Sequence, residues 1–170
     1  MIFTKELLNA LEFALHCHKD KTYGNNLPYV YHLIMAYHIG EHYKYLLPIE
    51  YQNDSLAATL LHDSIEDAGI TYNDVKNATN ENIANIVYDV TNELGKNRKE
   101  RNLKTYPKIK NNPLAKFVKL CDRIANASYS TLCQSTMLDA YKKEYPKFKQ
   151  KLYVIEEYED MWKELDKLLN

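Results

Sequence analysis

Four residues able to act as acid, base or metal ligand crowd the second half of the stretch 54–70, Asp-Ser-Leu-Ala-Ala-Thr-Leu-Leu-His-Asp-Ser-Ile-Glu-Asp-Ala-Gly-Ile. They are His62, Asp63, Glu66 and Asp67, at i, i+1, i+4 and i+5. At 100° per residue on a helix they share one sector about 140° wide. Ser55, Ala58 and Thr59 continue that sector backwards, and all three are small. An imidazole, three carboxylates and a run of small residues read either as the floor of a polar cavity or as the solvated face of a surface helix. Leu60, Leu61 and Ile65 flank the sector and favour the buried reading. Three carboxylates in such a place repel one another and lose hydration, so they need a compensating cation. A divalent metal is the simplest one.

The elements that must position this stretch all read as helices. Leu7, Leu11, Ala14 and Leu15, with Phe3 before them, predict an amphipathic helix over 3–18. Pro28 suits the first turn of a second helix over 29–46, ended by Pro48. The stretch itself predicts one helix, capped at Asn53 or Asp54 and stopped near Gly69. Thr71-Tyr-Asn-Asp74 is a capping box, and Asn80 caps a helix with the stripe Ile83, Ile86, Val87 and Val90. Pro113 opens a helix with Leu114, Phe117, Val118, Cys121, Ile124 and Ala125 at helical spacing. A polar helix over 133–150 with a break at Pro146, and a last one over 151–169 facing Leu152, Ile155, Trp162, Leu165 and Leu169 inward, complete the chain. No segment reads as a strand. The expectation is an all-α fold, a bundle of about eight helices forming a single domain over 1–170.

Further ligand types lie on these helices. His32 adjoins Leu33 and Ile34, where a lone histidine is ordinarily a satisfied core residue unless other groups complete a site. Asp122 lies at the edge of the stripe that follows Pro113 and is therefore either capped by a neighbouring Arg or bound to a metal; Arg123 projects about 100° away and is not the obvious partner. His38 and His42 are one turn apart, but no third ligand accompanies them, so they read as an exposed pair. His32, His62, Asp63 and Asp122 taken together make a mixed N/O set suited to Mn²⁺, Fe²⁺, Co²⁺ or Zn²⁺. The adjacent His62 and Asp63 can both ligate only over the groove between two helical directions. Residues 96–110 are basic. Within them Arg98 and Arg101, at i, i+3, project together and could grip one polyanion with planar donor forks.

Composition narrows the classes. A net charge of −1 supplies no global field for nucleic acid or acidic membrane. Four Gly and five Pro in 170 residues argue against sandwiches and long linkers. Three widely spaced cysteines, Cys17, Cys121 and Cys133, imply neither a disulfide framework nor a thiolate metal site, which fits a reducing cytoplasm. The first residues acquire charge at once and no apolar run approaches about 18 residues, so neither a signal segment nor a membrane span is expected.

The order His … His-Asp … Asp resembles the signature of the HD superfamily of metal-dependent phosphohydrolases. Leu27-Pro-Tyr-Val-Tyr-His32, Leu60-Leu-His-Asp-Ser-Ile-Glu-Asp67, Val90-Thr91 and Ala115-Lys-Phe-Val-Lys-Leu-Cys-Asp-Arg-Ile-Ala-Asn126 resemble successive motifs of the Rel/SpoT-type (p)ppGpp hydrolase domain, in particular of the small stand-alone alarmone hydrolases. The similarity runs from about Phe13 to Ser130. It implies that His32, His62, Asp63 and Asp122 hold one Mn²⁺ and that Glu66 and Asp67 serve the hydrolytic water and proton transfer. It further implies that Lys21, Arg98 and Arg101 contact phosphates and that Asn126 lies near the nucleotide. Two departures stand out. Lys19 and Lys21 replace the Arg that the family's loop carries before Pro-Tyr, and Ala-Ser-Tyr-Ser follows Asn126 in place of Leu-Arg. The expected activity is (p)ppGpp 3′-pyrophosphohydrolysis by a cytoplasmic monomer or homodimer, with no synthetase chemistry and no nucleic-acid or membrane partner. The alternatives are a phosphatase on another nucleotide or NADPH, and a non-catalytic nucleotide-binding HD protein.

Overall fold

The computed structural model describes residues 4–170. The chain runs through α1 (Lys5–Cys17), α2 (Val30–Tyr43), α3 (Ile49–Leu61), α4 (Ser64–Ala68), α5 (Tyr72–Ala78), α6 (Glu81–Val90), α7 (Arg98–Asn111), α8 (Pro113–Leu132), α9 (Met137–Leu152) and α10 (Glu159–Leu169). A 3-10 turn, Lys44–Leu46, joins α2 to α3. The fold is all-α as expected.

Helix α8 is the central element, with α2, α3, α6, α7, α9 and α10 packed around it. Its start is fixed locally: Asn112 accepts from the amides of Leu114 and Ala115, and Pro113 occupies the first turn. Phe117, Val118, Leu120, Cys121 and Ile124 are buried on it. Helix α3 packs on α1, α2, α6 and α8, and its Ser55, Ala57 and Ala58 are fully buried. Small residues there let neighbours approach closely. On α2, a Cβ at Gly40 would lie 3.0 Å from the Leu56 side chain, so this glycine sets the α2–α3 crossing.

Several boundaries depart from the sequence reading. The stretch around His62 is two helices: α3 begins at Ile49 after Pro48, stops at Leu61, and α4 restarts at Ser64. This break, together with α7, which the sequence shows only as a basic segment, raises the count to ten α-helices among the described residues. Gly69, at φ +69°, caps α4 in the left-handed conformation. Pro28 does not open a helix. It pairs in a minimal antiparallel ladder, β1 (Thr22–Tyr23) with β2 (Leu27–Pro28), which the sequence reading lacked because two-residue strands leave no alternation to detect. Pro146 sits within α9 without ending it. The last helix starts at Glu159 and not at 151, so Ile155 lies in the connecting turn and is exposed. Leu15 is also exposed, and Phe3 lies outside the described residues. The capping box at Thr71–Asp74 and the Asn80 cap form as read.

Candidate metal centre and its cavity

The break in the α3–α4 segment solves a geometric problem. Adjacent residues on one helix point about 100° apart. Here Asp63 takes φ −100° and ψ 0°, off the helical track, and both side chains turn to one centre. His62 Nε2 and Asp63 Oδ2 are 3.0 Å apart. His32, carried in by α2, brings its Nε2 to 3.1 Å from His62 Nε2 and 3.5 Å from Asp63 Oδ2. Asp122, on α8, closes the group with Oδ1 at 3.3 Å from His32 Nε2 and 3.6 Å from His62 Nε2. His32, His62 and Asp63 form the tightest set, with ligand atoms all within 4.8 Å of one another.

The donors suit a cation. His62 donates Nδ1–H to the Thr59 carbonyl at 2.8 Å, since a carbonyl only accepts, and this leaves Nε2 directed at the centre. His32 stacks on Tyr23, with centroids 4.8 Å apart, which fixes its ring plane. Two imidazole nitrogens and two carboxylate oxygens thus converge from three helices on one point, the mixed N/O set that divalent transition metals accept. His38 and His42 are exposed, as the reading of an exposed pair expects.

Electrostatics keep the carboxylates ionised. Burial pushes the Asp122 carboxyl up, but Lys119, at 2.7 Å, and the two imidazoles hold it well below the usual carboxylate range. Asp63 behaves alike: burial opposes its charge, and His62 and His32 override burial. Asn126 donates to Asp122 and accepts from Tyr23 at 2.9 Å, so its amide orients both the carboxylate and the Tyr23 ring.

The centre lies in a cavity of about 210 Å³. Asp63, Glu66, Asp67 and Asp122 line it together with Arg98, Arg101, Lys119 and Arg123, four acids against four cations. Tyr29 O–H lies 2.7 Å from Asp63 Oδ2 and 3.0 Å from Asp67 Oδ2 and links the centre to the second acidic pair. Glu66 accepts from the Asn92 side chain at 2.9 Å and from Arg101 at 3.1 Å. Arg98 Nε donates to Glu144 at 2.6 Å, and Arg123 donates to the same carboxylate at 3.1 Å while lying over the Tyr141 ring.

Nine of the ten candidate residues read from the sequence therefore meet in or directly beneath one cavity. Lys21 does not line it; its backbone flanks the small ladder, accepting from Tyr29 N at 3.0 Å. Lys119, Tyr29, Arg123 and Glu144 were missed. Lys119 carried a readable signal, the i, i+3 spacing to Asp122. Arg123 and Glu144 carried none, because α8 and α9 meet only in the tertiary fold.

Comparison with known proteins agrees with this geometry. The HD domain signature matches residues 10–148. A guanosine-3′,5′-bis(diphosphate) 3′-pyrophosphohydrolase of Aquifex aeolicus is 30% identical over 128 residues, 72% of this chain but only 17% of that protein. A protein of the same name from Mus musculus is 29% identical over 134 residues, 77% of this chain and 73% of the relative. A solved structure of a metazoan ortholog of SpoT that hydrolyzes ppGpp superposes with a TM-score of 0.82 at 21% identity, over 99% of this chain and 96% of the other, a likeness of fold. Because the signature extends over 10–148 of 170 residues, this chain belongs to the HD domain family.

Proposed function

We propose that this chain is a metal-dependent phosphohydrolase that removes pyrophosphate from the 3′ position of (p)ppGpp. One observation carries the reading: a His–His–Asp–Asp donor cluster shares its cavity with Arg98, Arg101, Lys119 and Arg123. A monophosphate needs few cations beyond the metal; a pyrophosphate needs several. The names of the relatives from Aquifex aeolicus and Mus musculus support the same substrate.

His32, His62, Asp63 and Asp122 would hold one ion, with Mn²⁺ first among the divalent transition metals. Such an ion, when bound, supplies Lewis acidity toward a phosphoryl oxygen and makes water more acidic. Glu66 and Asp67 lie one turn beyond the ligands, where they orient the attacking water and carry its proton. Water adds its oxygen to phosphorus, the bond from phosphorus to the 3′ oxygen breaks, and that oxygen takes a proton. The products are pyrophosphate and the nucleoside 5′-diphosphate from ppGpp, or the 5′-triphosphate from pppGpp. Arg98 and Arg101 bind the pyrophosphate oxygens. For Arg101 this means leaving Glu66, so substrate binding frees the carboxylate that the chemistry uses. Asn126 keeps Asp122 oriented beside the nucleotide.

A nucleotide panel tests the reading. Metal-loaded protein is incubated with ppGpp, GMP and NADPH, and products are identified by chromatography. Release of pyrophosphate from ppGpp is expected. Inert ppGpp beside rapid hydrolysis of GMP or NADPH would replace this substrate with the alternative one.

A further inference from the structure

A second concavity lies between α7 and α9. Helix α7 turns Arg98 and Arg101 toward the metal centre, and Lys99, Leu103 and Tyr106 toward this other hollow, with Asn102 shared. The hollow encloses about 700 Å³, against about 210 Å³ at the centre, and falls in the size range of small-molecule sites. It continues past Leu103, Tyr106 and Lys151 into a neighbouring hollow that reaches Lys110.

The banks of this groove are cationic and the floor is apolar. Lys143, Lys147 and Lys151 recur every fourth residue on α9, one face with about 6 Å between steps. Lys99 and Lys110 face them from α7. All five are exposed. Lys99, Lys110, Lys143 and Lys151 have no ion-pair or hydrogen-bond partner among the described residues, and Lys147 holds only the Gln150 amide oxygen at 2.9 Å. Lysines on the other side of α7 are paired: Lys104 with Glu100 at 2.8 Å, and Lys108 with Glu93 at 2.7 Å. The acid on the groove wall, Glu144, is already engaged by Arg98 and Arg123. Unmatched positive charge is thus concentrated along one apolar-floored groove.

We propose that the α7–α9 groove is a second ligand site, for a nucleoside polyphosphate whose phosphates lie along the α9 lysines and whose base rests on Leu103 and Tyr106. It is separate from the hydrolytic cavity and does not depend on the hydrolase reading. The occupant is a nucleotide because the charge is distributed for several phosphates and the floor offers apolar surface to a flat ring. Inorganic polyphosphate shares only the first feature.

The test uses the full chain with ATP and inorganic tripolyphosphate as probes, in calorimetric titration. ATP is expected to bind, and K143A/K147A/K151A to bind it at least about tenfold more weakly, since exposed charge contacts contribute modestly but add along a stripe. Lys147→Glu alone should weaken binding in the same direction. Amine acetylation followed by mass spectrometry should show Lys143 and Lys147 protected by ATP, with unchanged melting of the variants showing that they fold. Wild-type ATP affinity in the triple variant would overturn the site. Tripolyphosphate binding as tightly as ATP would overturn the nucleotide assignment, and so would tighter binding of a single-stranded oligoribonucleotide. None of these outcomes bears on hydrolysis at the metal centre.

Discussion

The candidate active-site cavity has two unlike walls. On one, His32, His62 and Asp122 are 1%, 3% and 6% exposed, and Thr59, Tyr23, Lys119 and Asn126 brace them from behind. On the other, the Arg98 and Arg101 side chains are 45% and 39% exposed, and each rests on a carboxylate, Glu144 or Glu66. The difference matches what each wall is proposed to bind. A metal centre needs donors fixed before the ion arrives, because reorganising buried ligands is costly. A rim for a transient polyanion needs cations that can exchange one anionic partner for another, and partly exposed ion pairs do so at little cost.

The largest expected effect comes from breaking the fixed wall. Asp122→Ala removes a proposed ligand and strands Lys119, whose ammonium sits 2.7 Å from the lost carboxylate in a largely buried place. Leaving one member of such a pair uncompensated costs about 3–5 kcal/mol, and a chain of this size should lose on the order of 10 °C in melting temperature. Metal content should fall with it. Full metal retention would mean that Asp122 is not a ligand, and adding Lys119→Met should restore stability but not metal.

Glu66→Gln and Asp67→Asn come next, because they lie between the walls. Each keeps shape and leaves the four donors intact, so metal content should survive while turnover falls on the order of 10²–10⁴. Wild-type turnover in both variants would remove them from the chemistry. On the more exposed wall, Arg98→Ala and Arg101→Ala should cost about ten- to a hundredfold on a pyrophosphate substrate, with much less effect on a small generic ester. Equal losses on both substrates would make them supports of the fold.

The smallest effect sharpens the same contrast. Burial raises the Glu144 carboxyl, but Arg98 and Arg123 hold it below the ordinary value. The stability that this depression provides is complete above the unfolded value, about 4.3, and is lost as pH falls through the lower folded value. The melting gap between wild type and Glu144→Gln should therefore be widest near neutral pH and shrink below about pH 4. A constant gap would show that the charge of Glu144 contributes nothing.

The two walls also differ in how far the sequence discloses them. His32, His62, Asp63 and Asp122 were legible because ligand types are rare and their order is informative. The helix break at 62–63 was not, since a local φ, ψ departure leaves no mark on hydrophobic period, although the need for two helical directions was. Arg98 and Arg101 were legible as a shared face. Their partners were not: Glu66 and Glu144 lie 35 and 46 residues away from them, and only the packing of α4, α7 and α9 brings the pairs together. The helical fold was read from stripes such as Ile83–Val90, whereas boundaries at Pro28, Pro48 and Pro146 depended on context that a proline alone does not specify.

The most direct measurement titrates metal-free protein with Mn²⁺, recording bound metal by elemental analysis and pyrophosphate released from ppGpp. The account predicts that both rise together and saturate at one equivalent per chain. Saturation at two equivalents with His38 or His42 required, or full pyrophosphate release with no metal bound, would contradict it.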